Sequence, residues 1–70
     1  AQSGQTEKAR QLFLKTIQMK PDFKDAYFGL ALLYKDLKRD ADAQKTLEFI
    51  LAKLDPNDEM VKKKLLEWER

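Results

Sequence analysis

The chain has 70 residues, which is enough for one small domain. Fourteen lysines and arginines stand against twelve aspartates and glutamates, and a net charge of only +2 argues against nucleic acid or a membrane surface as the main partner. The chain contains neither cysteine nor histidine, so the usual ligands of zinc and haem and the usual bases of nucleophilic catalysis are missing. We therefore expect no catalytic residue, no cofactor and no metal site.

Four helical segments are predicted, at about residues 6–20, 22–37, 40–54 and 58–69 of a single domain spanning 1–70. In the first segment Ala9, Phe13 and Ile17 recur at helical spacing on one face. Thr6 is the expected N-cap of this helix, and Gly4 is expected to lie in the turn before it.

The second segment follows Pro21, and Asp22 is its expected N-cap. Residues 26–34 are apolar nearly all round, which predicts a central helix surrounded by other helices.

The third segment begins at Asp40, its expected N-cap, and ends at a turn over residues 55–58. Asp58 lies at a capping position before the fourth segment. There Val61, Leu65 and Trp68 follow the spacing i, i+4 and i+7, and charged residues cover the rest, as in a terminal helix. The fold class is therefore all-α, with about four helices.

The first and third segments repeat one pattern at a distance of 34 residues. The matched pairs are Thr6 and Asp40, Ala9 and Ala43, Phe13 and Leu47, Thr16 and Ile50, and Ile17 and Leu51. The two prolines, Pro21 and Pro56, are 35 residues apart, which predicts one extra residue late in the third helix.

The residues resemble a tetratricopeptide repeat, whose period is about 34 residues. Ala26-Tyr27-x-x-Leu30-Ala31-x-x-Tyr34 is similar to its first helix, Ala43-x-x-x-Leu47-x-x-Ile50 to its second, and Asp55-Pro56-Asn57 to its closing turn. The resemblance implies antiparallel helical hairpins of an α–α superhelix: one full repeat between a preceding second helix and a C-terminal solvating helix. Lys38 stands where the family usually has a turn glycine.

The resemblance also implies a function, that of an interaction module with a scaffold or assembly role that binds a protein or peptide in a groove. A groove with an apolar floor and a basic wall suits an amphipathic or extended peptide with hydrophobic anchors and acidic residues. The alternative to a binding groove is that the final helix covers the apolar residues and that the lysines form a solvated face. The implied groove residues are Asp25, Phe28, Gly29, Leu32, Lys35, Asp36, Lys63, Lys64 and Glu67, with Met60 and Arg70 beside them.

Other functions stay open as alternatives. The chain could be a structural unit that forms homo-oligomers through Leu12, Leu14 and Ile17 of its first helix, or, more remotely, an enzyme-associated helical domain. The run Lys62-Lys63-Lys64 is a lone basic triplet, so we expect no nucleic-acid partner, and no apolar run approaches the roughly 20 residues that span a bilayer. A chain that starts at Ala1 resembles an excised domain, and a cytoplasmic location is expected.

Overall fold

The computed structural model describes residues 2–69, which form helices joined by short turns. Helix α1 spans Gln2–Met19, α2 spans Lys24–Asp36, α3 spans Asp40–Phe49 and α4 spans Glu59–Trp68. A π-helical turn, Ile50–Leu54, continues α3 without a break. The helices pack as hairpins, which confirms the all-α fold with about four helices.

Helix α1 begins four residues earlier than expected. Gly4 and Thr6 both lie inside it, so the predicted turn at Gly4 and the predicted cap at Thr6 are wrong. A glycine in an exposed helix costs only about 1 kcal/mol relative to alanine, and no proline stands nearby to forbid the helix. Gly4 also has open space around its Cβ position, so no close contact requires a glycine there.

Two of the predicted N-caps are also wrong, each by one residue. The cap positions of α2 and α3 are Phe23 and Arg39, and neither side chain makes a capping hydrogen bond. Asp22 lies in the turn before the cap of α2, and Asp40 is the first helical residue of α3. The expected cap at Asp58 is confirmed, because its carboxylate accepts a hydrogen bond from the Val61 backbone N–H at 3.1 Å.

The turns before α2 and α4 have the same backbone hydrogen bond. The Phe23 N–H donates to the Lys20 carbonyl at 3.1 Å, and the Asp58 N–H donates to the Asp55 carbonyl at 3.3 Å. Both turns contain a proline at the residue after the acceptor. The two copies of the pattern therefore end in turns of the same kind, each of which leads into the next helix.

The extra residue of the second copy is absorbed in the π-helical turn. In the first copy the Thr16 carbonyl accepts from the Lys20 N–H at 2.7 Å, four residues on. In the second copy the equivalent carbonyl, that of Ile50, accepts from the Asp55 N–H at 2.8 Å, five residues on. One wider turn thus accommodates the insertion and leaves the preceding α3 helix regular.

The hydrophobic core is one small cluster that draws on every element after α1. Ala31 of α2, Leu47 of α3, Ile50 of the π-helical turn and Val61 of α4 are all at most 1% exposed. Helix α2 packs most extensively on α3 and also packs on α1, so it is the central helix, as its composition predicts. Within residues 2–69 no helix has the length and apolarity needed to cross a bilayer.

Candidate functional site

The residues of the predicted groove lie on α2 and α4, so the candidate groove is the surface between these two helices. At one end of this surface, Lys24 of α2 forms ion pairs with two aspartates near the start of α4. Its ammonium lies 2.6 Å from the Asp55 carboxylate and 2.8 Å from the Asp58 carboxylate, so a side chain of α2 holds the turn that starts α4.

The electrostatics of this end follow from those two contacts. The hydrogen bond from the Lys24 ammonium is the main reason that the pKa of Asp55 and the pKa of Asp58 lie below their ordinary values. The backbone N–H of Asn57 lowers the pKa of Asp55 further, and that of Val61 does the same for Asp58. The two carboxylates raise the pKa of Lys24 in return, so all three groups are charged at neutral pH.

Lys35 and Trp68 link α2 and α4 at the other end of the groove. The Lys35 ammonium lies 5.4 Å from the centre of the Trp68 ring, within range of a cation–π interaction. The same ammonium lies 3.3 Å from the Asp40 carboxylate, so it is bound by its own chain on two sides.

Phe28 and Leu32 of α2 are the predicted apolar floor between these two ends. Phe28 is half-buried against the core cluster, and a small cavity of about 70 Å³ lies beside it. Val61 and Met60 of α4 line that cavity with Phe28. Leu32 is 39% exposed and Met60 is 68% exposed, so α4 covers the floor only in part.

The charges along the groove are more balanced than the predicted basic wall. Lys64 lies 3.2 Å from Glu67 on its own helix. Lys63 is exposed and has no ion pair within the described part of the chain, and the same holds for Asp25 and Asp36. Arg70 lies outside the described residues.

Gly29 does not belong to the open groove. A Cβ atom at this position would lie 2.7 Å from the ring of Phe13 in α1. Since real Cβ atoms essentially never approach so closely, the missing side chain lets α1 pack against α2. We therefore correct the prediction for this residue: Gly29 serves the contact with α1.

A second concave surface, larger than the cavity beside Phe28, lies between α1 and α3, and the sequence did not predict a cleft there. This outer cleft has a volume of about 300 Å³, and it includes Leu14 and Ile17 of the surface that the sequence offers for homo-oligomers. Its floor comes from α2 and its walls from α1 and α3; the lining residues are Leu14, Ile17, Tyr27, Leu30, Tyr34, Asp42, Lys45, Thr46 and Phe49.

A signal for the outer cleft was nevertheless present in the sequence. Leu14 and Phe49 are large apolar residues that fall outside the apolar stripes predicted for α1 and α3. They are 39% and 40% exposed. Apolar residues in excess of the packing stripe are the feature that points to a second surface.

A family model described as tetratricopeptide repeat matches residues 1–65. No curated protein and no solved structure shows a significant match to the chain.

Proposed function

Because this chain belongs to the tetratricopeptide repeat family, we propose that it binds a protein or peptide partner in the groove between α2 and α4, in a scaffold or assembly role. Repeats of this family are generally protein–protein interaction modules and are typically not catalytic. In this proposal the chain binds its partner in the cytoplasm, and cell fractionation would test that location.

The single observation that carries the proposal is the incomplete cover of the groove floor. Leu32 is 39% exposed, and Phe28 is only half-buried although it touches the core. A partner side chain placed there would bury apolar area that α4 leaves open, at about 25 cal/mol for each Å² removed from water. Met60 lies at the rim of this floor, and its flexible thioether can adapt to different side chains.

The ligand that fits this surface is an amphipathic or extended peptide with a hydrophobic anchor. The anchor would lie on Phe28 and Leu32, and an acidic residue of the peptide would face Lys63. Lys24 and Lys35 are already bound to carboxylates of the chain, so they would shape the two ends of the groove.

The test is an NMR titration of the labelled chain with pools of synthetic peptides that share one fixed apolar position. We expect amide shifts that cluster on Phe28, Leu32 and α4. Leu32→Asp should abolish binding, because it puts a charge on the apolar floor. The matched control is Leu14→Asp, since Leu14 has the same 39% exposure but lies in the outer cleft. Equal losses in both variants, or shifts that avoid α2 and α4, would count against the groove.

Self-association is the second candidate function, and the exposed apolar residues of the two outer helices favour it. Leu12 is 66% and Met19 is 72% exposed on α1, while Leu66 is 63% exposed on α4. Sedimentation at increasing concentration would separate the two functions, because only self-association makes the mass depend on concentration. A monomer at millimolar concentration would remove this candidate.

A further inference from the structure

The small cavity beside Phe28 lies at the Lys24 end of the groove, where α2, the π-helical turn and α4 meet. Its volume is about 70 Å³. Two of its lining residues, Ile50 and Val61, belong to the core cluster and are at most 1% exposed. A third, Met60, is 68% exposed. The cavity therefore extends from the surface of the groove down to the core.

We propose that this cavity is the anchor site of the groove and that it selects peptides whose anchor is a small aliphatic side chain, about the size of valine. The inference rests on the proposed peptide-binding function and names the class of ligand that the groove takes. If the groove binds no peptide, the inference fails with it.

The volume of the cavity sets the size of the anchor. An apolar protein cavity of about 150 Å³ holds one benzene molecule, and the share of one molecule in liquid water is about 30 Å³. At about 70 Å³, the cavity beside Phe28 has less than half of the space that benzene occupies in that example. It has room for two or three methyl-sized groups and no room for an aromatic ring.

The walls of the cavity are held in place by the core and by an ion pair. Ile50 and Val61 pack in the core cluster from the π-helical turn and from α4. The Asp58 carboxylate lies 2.8 Å from the Lys24 ammonium and accepts a hydrogen bond from the Val61 N–H at 3.1 Å. A larger anchor would have to move α4 away from the core and from Lys24. Met60 can adjust at the edge, but it does not set the depth of the cavity.

The lining also selects an uncharged anchor. Two carboxylates, those of Asp25 and Asp58, line the cavity together with the ammonium of Lys24. That ammonium is already bound to Asp55 and Asp58. The hydrogen bond from Lys24 holds the pKa of Asp58 below its ordinary value, so Asp58 is charged at neutral pH. An acidic anchor would therefore meet charges of its own sign in an apolar cavity.

The experiment divides the peptide pools of the groove test by their fixed residue, which is alanine, valine or phenylalanine, and adds a pool with aspartate. NMR titration of the labelled chain gives the affinity of each pool. We expect valine to bind about tenfold more tightly than alanine, because its two additional methyl groups become buried. Phenylalanine and aspartate should bind at least about tenfold more weakly than valine. The methyl resonances of Ile50 and Val61 should shift with the valine pool.

A substitution in the wall of the cavity locates this preference. Val61→Ile adds one methylene and makes the cavity smaller, so it should weaken the valine pool about threefold and change the alanine pool less than about twofold. A change in stability alone would not alter the preference between two anchors. The matched control is Leu66→Ile on the same helix, at a position that is 63% exposed. It should leave both affinities within about twofold.

Two outcomes would overturn the size selection and leave the groove in place. One is that phenylalanine binds as tightly as valine, and the other is that Val61→Ile leaves the preference for valine unchanged. If Val61→Ile fails to fold, the four pools on the parent chain still decide the question. If no pool binds, or if the shifts avoid α2 and α4, the groove itself fails, so the two failures are distinguishable.

Discussion

Lys38 ends α2 in a backbone conformation that L-residues rarely adopt. Its φ is 61°, and it is the one non-glycine residue with positive φ among those described. The Lys38 N–H donates to the Lys35 carbonyl at 3.0 Å, and the Arg39 N–H donates to the Tyr34 carbonyl at 2.9 Å. These two bonds form a Schellman motif, whose left-handed position is usually a glycine.

We therefore expect Lys38→Gly to raise the free energy of unfolding by about 1 kcal/mol, because the left-handed conformation costs an L-residue about 1–2 kcal/mol and a glycine almost nothing. Urea unfolding followed by circular dichroism measures the difference. The matched control is Lys45→Gly inside α3, which should lower stability by about 1 kcal/mol. The same sign of change in both variants would contradict the explanation.

Asp58 combines a helix cap with an ion pair, and two substitutions separate these roles. Asp58→Ala removes both and should cost about 1 kcal/mol at neutral pH from the cap alone. Asp58→Asn keeps a capping oxygen and removes the charge. At neutral pH it should therefore lower the free energy of unfolding by less than Asp58→Ala does. If urea unfolding at pH 7 shows the same loss of stability in both variants, the cap contributes little to the free energy of unfolding.

The pH dependence of stability follows from the same carboxylates. The pKa values of Asp55 and Asp58 lie below their ordinary value of 3.8 in the folded chain. Their contribution is therefore present above about pH 4 and is lost as the pH falls through the lowered folded-state values. We expect acid titration of Asp58→Asn to show a smaller loss of stability below pH 4 than the parent chain; an identical loss would assign the acid sensitivity to other groups.

At the scale of the element, the π-helical turn explains how the second copy of the pattern accommodates one more residue than the first. Lys53 is exposed in this turn, and its deletion would restore the 34-residue spacing. We expect that deletion to change the free energy of unfolding by less than about 1 kcal/mol, because the helix can close as a regular α-turn before Asp55. Thermal unfolding of the shortened chain provides the measurement.

The control for this deletion is the removal of Lys45 from the regular part of α3. It would rotate the following residues by about 100° and take either Ala43 or Leu47 out of the core, at a cost of roughly 3 kcal/mol or more. A similar cost for both deletions would show that the wide turn is not where the insertion is absorbed.

The contact between α2 and α3 depends on small residues. Ala31 and Ala43 are both fully buried on the two helices that pack most extensively. Ala43→Leu should therefore overpack the pair and cost about 1–3 kcal/mol, whereas Ala41→Leu, at an exposed position of α3, should be nearly neutral. Melting temperatures of the two variants test this, and an unchanged value for Ala43→Leu would place the contact elsewhere.

The sequence predicts the elements better than it predicts their ends or their surfaces. Apolar periodicity is strong enough to identify all four helices and the central position of α2. The caps at Asp22 and Asp40 were misplaced by one residue, since an aspartate next to a helix start is favourable whether it caps the helix or lies in its first turn. The contact of Gly29 with Phe13 could not be predicted, because it depends on how closely α1 and α2 approach each other.

At the scale of the whole molecule, the small core makes a direct prediction about cooperativity. Trp68 is the only tryptophan, and it packs with α4 against the cluster that contains Leu47 and Ile50. Helix α4 cannot leave without exposing both of those side chains to water. We therefore expect tryptophan fluorescence and far-ultraviolet circular dichroism to report one coincident urea transition.

A fluorescence transition at lower urea than the dichroism transition would mean that α4 detaches first and that α2 and α3 stay folded without Val61. The Lys35→Met variant sharpens the test, because it removes the cation–π contact with Trp68 and keeps most of the side-chain volume. If the core couples α4 to the rest, this variant shifts both transitions together. If the contact alone holds α4, only the fluorescence transition moves, and the groove would then be a surface that opens before the chain unfolds.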